Sequence, residues 1–165
     1  MLFFLLPSFS LAGQYEDGLT AMDKKAFKKA ILLFEWDAKK GNVKSQYKLG
    51  TIYDNGQGVK KNFSKAAYWY NLAAKQGYPD AQHRLGIMCQ NGQGVPKDDK
   101  QAQYWLEMAS KNGTPAAQYD LGMIYQKGQG VPCDYNRAVY YYELAAKQGF
   151  ARAQTAIGLL YTEGI

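Results

Sequence analysis

Metal and thiol chemistry find little material in this chain. Among its 165 residues there are two cysteines, Cys89 and Cys133, and one histidine, His83. No CxxC pair or His/Cys cluster is present, which excludes the common structural zinc sites. Neither a GxGxxG fingerprint nor a P-loop ending in GK[ST] occurs, so the familiar nucleotide-cradling loops are missing as well. His83 stands alone, with no recurrent serine or aspartate placed for triad chemistry. Apart from a short apolar start, no run approaches the roughly 18 apolar residues of a membrane-spanning helix. Charge is not concentrated either. Lys and Arg number 20 against 14 Asp and Glu, a net charge of +6, yet the lysines come singly or in pairs. A dedicated nucleic-acid surface, a cofactor and a metal are therefore not expected.

Present in quantity are glycine (17) and tyrosine (14), within a composition that is 47% hydrophobic and 21% charged. That balance supports a packed domain rather than a disordered chain. The opening "MLFFLLPSFSLAGQ" joins an apolar stretch, Leu2 to Leu6, to small residues at Ser10 and Ala12. It reads as a secretory signal over residues 1–12 with cleavage after Ala12, hence a periplasmic or secreted protein. The alternative is an apolar cap on the first helix of a cytoplasmic protein, since a positive n-region is missing and Pro7 breaks the run.

The organising feature is a repeat of 36 residues. Leu49, Leu85, Leu121 and Ile157 keep that step, as do Gly50, Gly86, Gly122 and Gly158, and Gln46, Gln82, Gln118 and Gln154. Gly77–Asn112 and Gly113–Gln148 share 18 of 36 positions, too many for chance alignment of two helices. Each unit reads as a helical hairpin. Ala81, Leu85, Met88 and Cys89 form one apolar face of a first helix over Pro79–Asn91. A second helix over Asp98–Asn112 starts with a capping-box spacing, Asp98 to Gln101, and Asn62 and Asp134 hold the same slot. Between them the phrase GQGV recurs, with Gly56, Gly92 and Gly128 placed to take positive φ. Recurrence at the repeat period makes it a turn rather than an anion cradle. The repeated glutamine is expected to bond backbone at a hairpin junction, because a buried amide needs partners.

One hairpin cannot bury its own apolar face, so stacked neighbours must complete the core. The expected fold is all-α, a right-handed α-solenoid of helix-turn-helix repeats like a tetratricopeptide superhelix. An atypical first hairpin spans about 13–41, full repeats about 42–77, 78–113 and 114–149, and a half repeat about 150–165. The half repeat leaves a face for further chain or for a partner.

The pattern A-x-x-x-L-G-x-x-Y-x-x-G-x-G-V, followed by a second helix ending A-A-K-x-G, resembles the Sel-like repeat family. "AQYDLGMIYQKGQGVPCDYNRAVYYYELAAKQG" (117–149) fits nearly every slot. The resemblance runs from Gly13 to Ile165 and implies a protein–protein interaction scaffold, commonly in exported or envelope-associated bacterial proteins. A cysteine-rich subgroup of that family is linked to β-lactam binding and hydrolysis. Its cysteines recur at slots that here hold Ala73, Ala81, Ala109, Ala117, Ala145 and Ala153. The chain departs from the subgroup there, and a β-lactam or peptidoglycan-fragment hydrolase is the alternative to a scaffold. A Cys89–Cys133 disulfide and two free thiols both remain open.

If the first helices turn Leu85, Met88 and Cys89 inward, the residues between them face outward. Tyr47, Lys48 and Thr51, then His83, Arg84 and Ile87, then Tyr119, Asp120 and Met123 would line one concave groove for a protein or peptide. Tyr and Arg are favoured interface anchors. The slot of His83, filled by Tyr47, Tyr119 and Thr155 in the other units, reads as a variable surface position.

Overall fold

The three second helices of the full repeats all begin the same way. The side chains of Asn62, Asp98 and Asp134 accept from the backbone N–H of Lys65, Gln101 and Arg137 at 2.9, 3.0 and 3.0 Å. Each satisfies a donor that the first helical turn leaves without a partner. The first helices use other devices: Asn42 caps one by accepting from the Ser45 N–H, and Pro79 and Pro115 open the next two. In this computed structural model residues 13–162 are described, and the expected leader at 1–12 and the last three residues lie outside them.

Among the described residues there are nine helices and no strand. They are α1 (Gln14–Asp23), α2 (Phe27–Lys39), α3 (Val43–Asn55), α4 (Phe63–Lys75), α5 (Pro79–Asn91), α6 (Asp99–Lys111), α7 (Pro115–Lys127), α8 (Tyr135–Lys147) and α9 (Ala151–Thr162). Asp98 is the cap of α6 rather than its first residue. Among the described residues each helix packs on the next, from α1 to α9, the arrangement of an α-solenoid. The α1–α2 turn is short, and Lys25 takes φ +56° there, the one non-glycine with positive φ among the described residues.

GQGV serves the junction between hairpins as well as the turn. Gly56, Gly92 and Gly128 end α3, α5 and α7 in the left-handed region, at φ 72°, 67° and 67°. The second glycine of the phrase lies against the start of the preceding second helix. A Cβ on Gly94 would overlap the Phe63 carbonyl, and one on Gly130 would lie 2.6 Å from the Asp99 Cβ. Gly58 meets Phe27 in the same way.

The repeated glutamine fastens the same junction on its other side. Nε2 of Gln46, Gln82, Gln118 and Gln154 donates to the carbonyl eight residues earlier, on Ala38, Ala74, Ser110 and Ala146. Oε1 of the first three accepts from Gln76, Asn112 and Gln148, at the end of their own hairpin. Gln14 is the corresponding residue of α1, only 3% exposed, and its Nε2 has no partner among the described residues. Eight residues before it stands Leu6, outside them.

Gly94→Ala combines a strained φ with a collision against backbone, whereas a methyl group on Gly77, at φ +85°, would meet nothing within 4 Å. Urea unfolding should show a loss of about 1 kcal/mol for Gly77→Ala and well above ~2 kcal/mol for Gly94→Ala. Equal losses would refute the junction role of the second glycine.

Candidate partner-binding surface

The nine expected groove residues lie on α3, α5 and α7, and the structure joins the last two helices directly. His83 Nε2 is 2.7 Å from Asp120 Oδ2, with the side chains 16% and 20% exposed. His83 is thus not a freely variable surface position. It clasps one first helix to the next.

Tyr47 and Tyr119 also have inward work. Tyr47 packs against Tyr70 and Tyr78, with ring centroids 5.7 and 4.8 Å apart. Tyr119 packs against Tyr142 and Phe150, both at 5.5 Å. These trios occupy equivalent slots in the first and third full repeats, where aromatic pairs add to the area they bury. The middle repeat holds His83, Leu106 and Thr114 in those slots, and there the imidazole turns to Asp120 instead. The remaining positions are more open: Arg84 is exposed, and Lys48, Thr51, Ile87 and Met123 are half-buried. Thr51 Oγ1 donates back to the Tyr47 carbonyl at 3.0 Å.

Beneath this face the tyrosine hydroxyls are tied down. Tyr70 donates to Asp54 Oδ2 at 3.4 Å and Tyr142 to Gln126 Oε1 at 2.6 Å. Burial, reinforced by neighbouring Tyr119 and Asp120, pushes the Tyr142 pKa up to about 12. Burial raises Tyr70 as well.

The two cysteines differ in setting. Both are free thiols, Cys89 buried and Cys133 exposed. Burial first, and Asp98 second, raise the Cys89 pKa and so disfavour its thiolate. Among the described residues no group of three or more His, Cys, Asp or Glu could hold a metal ion. At the first hairpin junction the slots that carry cysteine in the cysteine-rich subgroup hold Asp37 and Ser45, and Ser45 Oγ donates to the Asp37 carboxylate.

A second surface escapes the sequence reading. Tyr68, Tyr104 and Tyr140 sit at the 36-residue step on α4, α6 and α8 and are 58%, 52% and 57% exposed. Each meets the next residue edge-on, Trp69, Trp105 or Tyr141. The signal that could have found them is the repeat period itself, which places all three tyrosines in one slot of the second helix.

The Sel1 repeat family model matches residues 43–78, 79–114 and 115–150. The chain is a Sel1-repeat protein. Its repeats resemble those of c5321, a protective antigen of uropathogenic Escherichia coli with an SLR fold, at 32% identity and TM-score 0.91. That match covers 94% of this chain and 34% of the antigen. A Sel1 repeat protein of Oxalobacter formigenes is 35% identical at TM-score 0.84, over 92% of this chain and 62% of that one. Cysteine-rich protein B of Helicobacter pylori is 25% identical at TM-score 0.53, over 65% of this chain and 91% of that one. The chain therefore spans about a third of the first structure and under two thirds of the second. No match is found among curated proteins.

The Sel1 solenoid should lose stability in alkali for a stated reason. Unfolded, Tyr142 releases its proton near pH 10; folded, it keeps the proton until about pH 12. The folded state then binds more protons, so stability is full below pH 10 and falls as pH rises through that window. Urea midpoints from pH 9 to 11.5 should decline, and Tyr142→Phe should flatten the decline. Parallel curves would exclude Tyr142 as a source.

Proposed function

We propose that this protein is a non-catalytic scaffold that binds a protein or peptide partner along the face of α3, α5 and α7. Sel1 repeats generally mediate protein–protein interaction, and a stack of three carries one face through three equivalent helices. The observation that carries the reading is the His83–Asp120 clasp. It ties α5 to α7 beside the exposed Arg84, so this part of the face is organised before a partner arrives. Preorganisation reduces the ordering cost of binding. We place the protein in the periplasm or outside the cell, on the strength of the apolar leader at residues 1–12.

No observation favours hydrolysis. The one histidine is engaged with Asp120, and the buried thiol is held protonated.

The test begins with capture of a partner by the immobilised full chain and continues with affinities for charge-reversed variants. Lys48→Glu and Arg84→Glu should each weaken the captured partner at least tenfold, while Lys147→Glu on α8 leaves it unchanged. Undiminished affinity in both face variants removes α3, α5 and α7 as the contact. Export is checked separately: the mass of the protein recovered outside the cytoplasm should correspond to a chain beginning at Gly13.

A further inference from the structure

A tyrosine is missing from the middle repeat. Tyr53 and Tyr125 occupy one slot at the ends of α3 and α7, buried at the seam between hairpins, and Cys89 occupies it on α5. The two tyrosines show what the slot is built to hold. The Tyr53 hydroxyl donates to Glu35 Oε1 at 3.2 Å, on the preceding second helix, and Lys65 lies 5.0 Å from the ring centroid. Tyr125 stacks on Tyr141, with centroids 5.6 Å apart and planes within 4°. Its oxygen accepts from Gln103 Nε2 at 3.0 Å and from Arg137 at 3.3 Å, and the Arg137 guanidinium lies over its ring.

Cysteine fills little of that space. Between α4 and α6 an open hollow of about 380 Å³ remains, with Leu85, Cys89 and Val95 lining its apolar part. Tyr68 on α4 and Trp105 on α6 also line it. Trp105 holds the slot of Tyr141, the stacking partner, and Asn71 holds the slot of Glu35, the hydroxyl acceptor. Both line the hollow, with Gln101 in the slot of Lys65 and Arg137. The aromatic partner and one polar side chain of the phenol ring persist where the ring itself is gone, while Ala67 replaces the donor Gln103 and the neutral Gln101 replaces the cation. The volume lies at the lower end of the roughly 300–1,000 Å³ of small-ligand sites.

The flanking helices select the rest of the ligand. α4 carries Lys65 and Lys75 and no acidic residue. α6 carries Lys100 and Lys111 against Asp99 and Glu107, and Glu107 already accepts from Gln103. With the cap Asp98, whose charge reaches Cys89, the four lysines stand against three acidic side chains. Since Glu107 is already engaged, a chain crossing the hollow meets a small excess of positive charge.

We propose that the hollow is a socket for a tyrosine side chain supplied by an extended peptide with acidic residues on either side of it. The guest ring takes the place Tyr53 and Tyr125 hold in their own repeats, stacked on Trp105 with its hydroxyl toward Asn71. This surface is separate from the face of α3, α5 and α7, and its test does not depend on a partner captured there.

The probes are three blocked pentapeptides, EDYED, EDFED and EDAED, titrated against the full chain by tryptophan fluorescence and calorimetry. EDYED should bind at least tenfold tighter than EDAED, with EDFED between them. Cys89→Tyr supplies the ring from within. It should keep or raise the thermal midpoint of the wild type, since two repeats already hold tyrosine there, and should weaken EDYED at least tenfold. Equal binding of EDYED and EDAED, absence of EDYED binding, or unchanged EDYED affinity in a folded Cys89→Tyr would each overturn the socket. Should that variant fail to fold, Asn71→Leu decides. It should abolish the preference for EDYED over EDFED, and a preserved preference overturns the proposal.

Discussion

Everything in this solenoid hangs on an amide that cannot be satisfied within its own hairpin. Gln46, Gln82 and Gln118 are almost wholly buried, and their Nε2 groups reach carbonyls at the end of the preceding second helix. A buried N–H left without an acceptor costs about 1–3 kcal/mol. A hairpin that slipped by one residue against its neighbour would incur that cost and forfeit the bond from Gln76, Asn112 or Gln148 to the same side chain. One residue type thus ties the end of one hairpin, the start of the next and the end of that next. On the opposite side of the junction the second glycine of GQGV admits the start of the previous second helix to within contact. Hydrogen bond and close approach together set the pitch, and apolar burial of Leu49, Leu85 and Leu121 follows from it.

Those constraints were legible because they repeat. A glutamine, a glycine or a capping Asn or Asp that returns every 36 residues announces a backbone demand, and local chemistry names the demand: an acceptor for free N–H groups, a left-handed turn, a bond across a junction. What periodicity does not reveal is which side chains meet between helices. Tyr47 and Tyr119 look like groove anchors from spacing alone, yet their rings lie against Tyr70, Tyr78, Tyr142 and Phe150. His83 reads as incidental in the sequence because its slot varies, with Tyr47, Tyr119 and Thr155 in the other units. Its contact is Asp120, 37 residues on, and no rule of helical spacing pairs them. The exposed row of Tyr68, Tyr104 and Tyr140 had the period but not the burial pattern that would have flagged it, since each lies beside a more buried aromatic residue.

A repeat array achieves stability by uniformity, so its specificity belongs where uniformity fails. The middle repeat departs from its neighbours in two places. At one, His83 with Leu106 and Thr114 replaces an aromatic trio, and packing within the hairpin gives way to a polar link onto α7. At the other, Cys89 replaces tyrosine and leaves a hollow beside Trp105. The first departure strengthens contact between repeats on the face of the first helices, while the second loosens the seam on the side of α4 and α6. Neither disturbs the glutamine bonds of Gln82, whose two ends remain engaged. That is why the middle repeat tolerates both: the interaction that fixes the register is carried by backbone carbonyls and amides, so ring-sized changes beside it alter the surface without altering the pitch.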